Sequence, residues 1–512
     1  MMALGAHQPQ RTADGFQHPR SEEELAALIR FAGRQARQLR VRGSAHSVKG
    51  AVCADSGSGN IDIMLDQYAG VVFDDERCRV TVQAGCHLGL DPRDPTHTST
   101  WANSLLAQLD ARGWALPDLG GVTHQTVSGF LMTGSCGGTT QYAIEDAVIA
   151  LRLIDAKGEV HEFQKDRDEL FEAASCSMGL LGVISTVTFQ CQPRYDVIGR
   201  EDITSESQTP YALFGDGAKG LEGLLRRSEY ARLMWWPQEG VRRVVTWQAR
   251  RMQDADYGAL TGARGALTPK AYSALGDAVR DQRLSLIANR AAQAVGGLFY
   301  DSLALAARAN ALLPTSVVQG SQVRTGFVKH VLPRVLRSFV PTGTTQHFWD
   351  SWCHGLPLDN QMSERSLPTD FTEIWLPLER TGDVMRALRA HYDRGGYDAT
   401  GAFICEVYAA RRTRAWLHPA HQRDSLRIDL FWFRRNPGDA RIYFERFWKL
   451  LQPFGYRLHW GKILPADPAL GAHYLRRQYP RWDDFLAGRA RLDPDGVFLT
   501  RYWRAALGVL AC

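Results

Sequence analysis

The chain has 512 residues, 45% hydrophobic and 22% charged, a globular balance that excludes disordered, collagen-like and coiled-coil classes. Its 60 basic and 55 acidic residues leave a net charge of +5, too thin over this length to imply a nucleic-acid partner. At roughly 100–200 residues per domain, two large domains are the simplest division.

Nine cysteines (Cys53, Cys78, Cys86, Cys136, Cys176, Cys191, Cys353, Cys405 and Cys512) are scattered, odd in number and free of any CxxC pair. That pattern fits reduced thiols in a cytoplasmic protein, with no zinc site and no disulfide framework. No basic-then-apolar stretch opens the chain, so no signal peptide is expected. The most apolar later stretch, 291–306, contains Asp301 and lies between Arg290 and Arg308, too short and too charged to span a bilayer.

Ser21 followed by Glu24 is a capping-box pattern, and Leu25, Leu28, Ile29 and Ala32 recur at helical spacing, so 21–36 reads as an amphipathic helix. Residues 38–42 alternate like a strand and end at the small-residue turn Gly43-Ser44-Ala45-His46-Ser47. Further strands are expected at 61–65, 71–73, 79–84, 148–154 and 183–189, with a helix at 169–177. The glycine-rich stretch 120–138 has too little helical pattern for a nucleotide-binding helix entry. From about Pro193 the character changes to strands at 233–236, 244–248, 371–377, 403–409, 426–433 and 457–463, with helices at 380–392 and 439–451. Without regular βαβ spacing, the fold class is α+β, its second part a mainly antiparallel sheet with covering helices. Residues 252–318 are Ala-rich and read as a helical insertion.

The turn at 43–45 could cradle a pyrophosphate with its backbone N–H groups, and Gly129 to Thr140, rich in glycine, offers a second such surface. Each is weak alone. Together with later segments they resemble a family. Arg42-Gly-Ser-Ala-His46-Ser47 looks like the first flavin-binding signature of FAD-linked oxidases of the vanillyl-alcohol oxidase type. Leu116-Pro-Asp-Leu-Gly120-Gly121 with Thr126-Val-Ser-Gly129, and Gly179-Leu-Leu-Gly182-Val-Ile184, resemble later parts of that FAD domain. Arg457-Leu-His459-Trp460-Gly461-Lys462, with 479–485 and 492–499, is similar to the end of the aldonolactone and alditol oxidase branch.

The resemblance implies an FAD domain at 1–194, a substrate domain at 195–465 and a C-terminal segment, 466–512, returning to the first domain. It implies FAD held by Arg42, Gly43, Ser44, Ala45, His46, Ser47, Gly120, Gly121, Thr126, Gly129, Thr133, Gly134, Ser135, Cys136, Gly137 and Ile184. It also implies a covalent bond from His46 to the flavin 8α-methyl. Residues i and i+2 of a strand share a face, so Glu406 pairs with Tyr408, Asp429 with Phe431, and Trp460 with Lys462. Relatives that oxidise alditols place Arg and Thr where this chain has Tyr408 and Phe431. A small-molecule substrate larger or more apolar than a free alditol is therefore expected, contacted by Tyr408, Phe431 and Trp460. The implied chemistry is hydride transfer from a carbinol C–H to flavin N5. Glu406, Asp429 and His459 are candidate bases, and Lys462 is a candidate anion stabiliser. Glu406 and Asp429 also fit a solvated strand face. Gly120, small where the branch gates oxygen, points to O2 as acceptor and hydrogen peroxide as product. A flavin dehydrogenase and a catalytically decayed flavin-binding protein are the alternatives.

Overall fold

The structure, a computed structural model, describes residues 12–57, 59–260, 268–272, 316–318, 321–323, 333–334, 337, 340–360, 368–400, 404–434 and 438–509. The first helix is Glu22–Arg34. It starts where the Ser21 side chain accepts from the Glu24 N–H, and it buries Leu25, Ala26, Ile29 and Ala32. The Glu24 carboxylate accepts from the Arg20 N–H at 2.7 Å, closing a capping box displaced by one residue.

Two antiparallel sheets dominate. A five-stranded sheet runs Val71–Asp74, Arg79–Gln83, Val183–Gln190, Val148–Ile154, Val160–Gln164. An eight-stranded sheet runs Thr344–Ser351, Asp196–Ser205, Arg243–Arg251, Tyr230–Trp236, Cys405–Ala410, Ser425–Phe433, Thr369–Pro377, Arg457–Leu458. Helices Thr381–Thr400 and Ala440–Leu451 pack on each other, and the latter also packs on Thr369–Pro377. It buries Tyr443, Phe444, Phe447, Trp448 and Leu451 at helical spacing. This is the α+β, two-domain architecture expected of an FAD-linked oxidase.

Several expected elements take other bounds. The helix expected at 169–177 shrinks to Phe171–Ala174. The stretch 120–138 does contain a helix, Val127–Met132, opened by Thr126, whose side chain accepts from the Gly129 N–H. At six residues it is too short for a periodic signal. The strand expected at 457–463 stops at Leu458. Strands Val160–Gln164, Asp196–Ser205 and Thr344–Ser351 went unforeseen; the second carries Arg200, Glu201 and Asp202 at its centre, which erase apolar alternation. Of the expected insertion, Asp254–Leu260 is a helix and Ser316–Val318 a strand; most of the rest lies outside the described residues. Among the described residues no helix is long and apolar enough to cross a membrane.

The C-terminal residues pack against the first sheet region. Leu39 N–H donates to the Val497 carbonyl at 2.8 Å, and Ala156 N–H to that of Leu492 at 3.0 Å. Arg40 is the knot. Its Nη1 donates to the carbonyls of Gly179 and Phe498, each at 3.2 Å, and its Nη2 to those of Ala51 and Met178, each at 2.7 Å. Burial pulls its pKa down to about 10, so it stays charged at neutral pH. Arg40→Met should keep the bulk and strip four carbonyls of their donor, costing about 3 kcal/mol or more. A lowered midpoint of thermal unfolding would show it, and an unchanged midpoint would refute the knot.

Candidate active site

Two cavities meet at the boundary of the sheets. The first has about 1300 Å³ of empty space, its open mouth included, and runs along the turn 43–47, Thr126–Gly129 and the backbone at 178–184. The turn needs unusual backbone: Ala45 sits at φ +56°. A Cβ on Gly43 would stand 2.7 Å from Thr126 Oγ1, so only glycine lets the turn approach the Thr126 helix start. Arg42, Gly43, Ser44, Ala45, His46, Ser47, Thr126, Gly129, Thr133, Ser135 and Ile184 all line this cavity.

The second cavity has about 1000 Å³ of empty space and lies over one face of the eight-stranded sheet. Gln125, Ser135, His459 and Lys462 line both cavities and mark where they join. Gly120, Gly121, Cys136, Glu406, Tyr408, Asp429 and Phe431 line the second, so the strand-face reasoning for Glu406/Tyr408 and Asp429/Phe431 matches the geometry. The Lys462 ammonium donates to the His46 carbonyl at 3.2 Å and lies 3.9 Å from the Phe371 ring centre.

Trp460 corrects an expectation. It is wholly buried, donates from Nε1 to the Leu417 carbonyl at 2.6 Å and packs among Tyr479, Trp482 and Trp503. The strand ends at Leu458 and the chain turns, so the two-residue alternation that paired Trp460 with Lys462 does not operate. Gly134 and Gly137 also stand behind the lining. A Cβ on Gly134 would meet Pro419 at 2.7 Å, and Gly137 donates its N–H to Asp118 at 2.8 Å.

Sequence reasoning missed four charged residues. Arg232 holds Asp359 through two bonds of 2.6 and 2.7 Å and also pairs with Glu406. Arg427 pairs with Glu373 at 2.5 Å and donates to the Tyr408 hydroxyl at 2.6 Å and the Cys136 carbonyl at 2.8 Å. Arg427 lies two residues from Asp429, so strand alternation could have found it; Glu373 lies on a strand from which the sequence offered no site residue. Asp359 follows no such pattern.

The electrostatics sort these groups. Burial, then the nearby Lys462 charge, pushes the His46 pKa down to about 3, leaving a neutral imidazole. Burial does the same to His459, also to about 3. The Gly461 N–H donates to His459 Nδ1 at 3.1 Å, so the proton belongs on Nε2, which faces Ser135 Oγ at 3.1 Å. Both nitrogens are engaged, which leaves His459 a poor base. Burial, with Asp359 sharing Arg232, raises the Glu406 carboxyl to about 7. Burial also pushes Glu373 upward, but Arg427 overrides it and holds that carboxyl below its usual range.

The first cavity suits FAD. His46 Nε2 is buried without a hydrogen-bond partner, and the glycine turn, the Thr126 helix start and the 179–184 backbone line the cavity. Fold and paired cavities fit an FAD-linked oxidoreductase. A family model described as D-arabinono-1,4-lactone oxidase matches residues 330–506, and one described as FAD binding domain matches 13–90 and 99–164. The chain is 26% identical to a putative D-arabinono-1,4-lactone oxidase of Neurospora crassa, covering 96% of this chain and 82% of that one. It is 25% identical to L-gulonolactone oxidase of Bos taurus, with 94% and 93% covered. It is 26% identical to L-gulono-1,4-lactone dehydrogenase of Mycobacterium tuberculosis, with 96% and 95% covered. In fold it is similar to cholesterol oxidase from B. sterolicum, at a TM-score of 0.67, 12% identity and 96% and 93% coverage. The chain therefore belongs to the aldonolactone oxidase branch of the FAD-linked oxidases, enzymes acting on CH–OH donors.

Removing one member of the Arg427 pair should be costly. Glu373→Gln leaves a buried guanidinium without its carboxylate, a loss of about 3–5 kcal/mol. Chemical denaturation should show it as a lower midpoint with unchanged slope.

Proposed function

We propose that the chain oxidises a carbinol of an aldonolactone-type substrate seated in the second cavity, with FAD in the first. The junction of the two cavities at Ser135, His459 and Lys462 carries this reading. FAD, when bound, supplies the hydride acceptor for the carbinol C–H. Residues 43–47, Thr126, Gly129 and Ile184 would hold it, and His46 would tether it covalently. A neutral imidazole whose Nε2 has no other partner supports the tether.

Glu406 takes the hydroxyl proton, being a cavity-lining carboxyl poised near neutrality. Lys462 supports developing negative charge beside the junction. Tyr408, Phe371, Phe431 and Trp236 give the cavity an aromatic lining that favours a ring substrate over a free, fully solvated alditol. Small Gly120 in that lining supports O2 as the acceptor and hydrogen peroxide as the product. Unpaired thiols at all eight described cysteines suit a reducing compartment such as the cytoplasm.

The first test is the visible spectrum of the purified protein followed by acid precipitation. Yellow colour should stay in the pellet and should move to the supernatant in His46→Ala. Colour in the wild-type supernatant would remove the tether, and a colourless protein that takes up no FAD would remove the reading.

Glu406 is competent only when ionised, so kcat/KM for L-gulono-1,4-lactone or D-arabinono-1,4-lactone should rise with pH and level off above about 7. Glu406→Gln should lower it about 100-fold or more and flatten that limb. An oxygen electrode reads both effects.

A further inference from the structure

Three carboxylates stand side by side across three strands. Asp429 lies directly opposite Glu373 on one neighbouring strand and directly opposite Glu406 on the other. Cross-strand Cβ atoms at such positions are about 5 Å apart, where like charges repel. The flanking pair each have a cation partner: Glu373 has Arg427, and Glu406 has Arg232, which Asp359 shares. Among the described residues Asp429 has no cation to itself. The groups that act on it are Glu373 from one side, Glu406, Tyr408 and the Cys405 thiol from the other, and Arg427 on its own strand. Arg427 is already engaged by Glu373, the Tyr408 hydroxyl and the Cys136 carbonyl. Around this cavity four carboxylates (Asp359, Glu373, Glu406, Asp429) face three cations (Arg232, Arg427, Lys462), so one proton balances the set.

A second observation points to a ligand. Asp429 is only 3% exposed and lines the cavity, and its Oδ1 is buried without a hydrogen-bond partner. Its Oδ2 receives the Tyr408 hydroxyl at 2.8 Å, which leaves Oδ1 to carry the proton. We infer that Asp429 is a neutral carboxylic acid that donates a hydrogen bond from Oδ1 to an acceptor oxygen of the substrate, and so selects for it. A ring ester or a hydroxyl meets that donor. A free carboxylate brings another negative charge into a row that holds only its own balance, so the cavity takes the closed lactone and rejects the hydrolysed acid. This departs from Asp429 as a base. Burial and the flanking Glu373 hold its proton on well above the usual carboxylate range. The inference rests on the lactone reading of this cavity, and its test separates the two.

The test uses the full-length holoenzyme, Asp429→Asn and Asp429→Leu. The first readout needs no turnover. At about pH 9, some two units above the range where Glu406 ionises, the infrared spectrum of wild type minus D429N should still show a protonated-carboxyl band. Adding L-gulono-1,4-lactone should shift that band, and adding the ring-opened gulonate should not. In stopped-flow flavin reduction, D429N should stay within about tenfold of wild type, because an amide still donates. D429L should raise KM about tenfold or more with a smaller change in kcat. Absence of the band overturns the inference, as does a D429N reduction rate lowered a hundredfold or more. If wild type is reduced by neither L-gulono-1,4-lactone nor D-arabinono-1,4-lactone while the band is present, the substrate reading falls and the neutral acid stands.

Discussion

One buried guanidinium holds the cofactor cavity together. Arg40 reaches four backbone carbonyls from three distant stretches of chain, at Ala51, Met178–Gly179 and Phe498. Every one of those residues, and Arg40 itself, lines the first cavity. A carbonyl turned inward without a donor is expensive, and apolar packing alone cannot set its direction. The fixed fork of a guanidinium satisfies several at once and sets their relative positions. The cavity walls are thus positioned by a side chain that is itself part of the lining. The residues at the cavity surface, Gly43 and Ala45 among them, can then spend their backbone freedom on close approach.

The second cavity obeys a different constraint. Its floor is one face of an antiparallel sheet, so its residues come in rows. One row runs Met234, Glu406, Asp429, Glu373, and the next runs Arg232, Tyr408, Arg427, Trp375. Carboxylates therefore sit one step from guanidiniums throughout. Such a floor is rigid and close to electrically balanced, which suits a neutral, oxygen-rich substrate. Tyr408 carries no charge of its own, yet a guanidinium reaches that place. Arg427, directly opposite Tyr408 in the register, lies 3.9 Å from its ring centre and bonds its hydroxyl. The positive charge comes from the neighbouring strand.

Much of this was legible in the sequence. The apolar run Val148–Ile154 matched residue for residue, and the capping residues around Ser21 located the first helix. The small-residue turn before His46 pointed to the cofactor cavity because few backbones other than glycine-rich ones pass so close to a helix start. Strand alternation placed Glu406, Tyr408, Asp429 and Phe431 on one face, since its period is a property of the backbone. It failed for Trp460, two residues past the end of a strand whose end no side chain marks. It also gave no access to the Arg232–Asp359 contact, because residues 127 apart meet only through the fold. Charges on Asp196–Ser205 hid a strand for a related reason: its polar groups are satisfied by partners from other elements, such as Tyr272 on Glu201.

The contact between Arg40 and Phe498 spans 458 residues. On a ribosome, the turn at 43–47 emerges well before the wall at Phe498 that completes its cavity. Until then Arg40 lacks one of its four acceptors and the nearby Trp503 ring, which itself donates to the Ala51 carbonyl at 3.1 Å. The cavity is therefore closed on this side only once residues 498–503 have been made. A nascent chain stalled short of this region would carry the complete flavin signature and still leave the cradle open on one side.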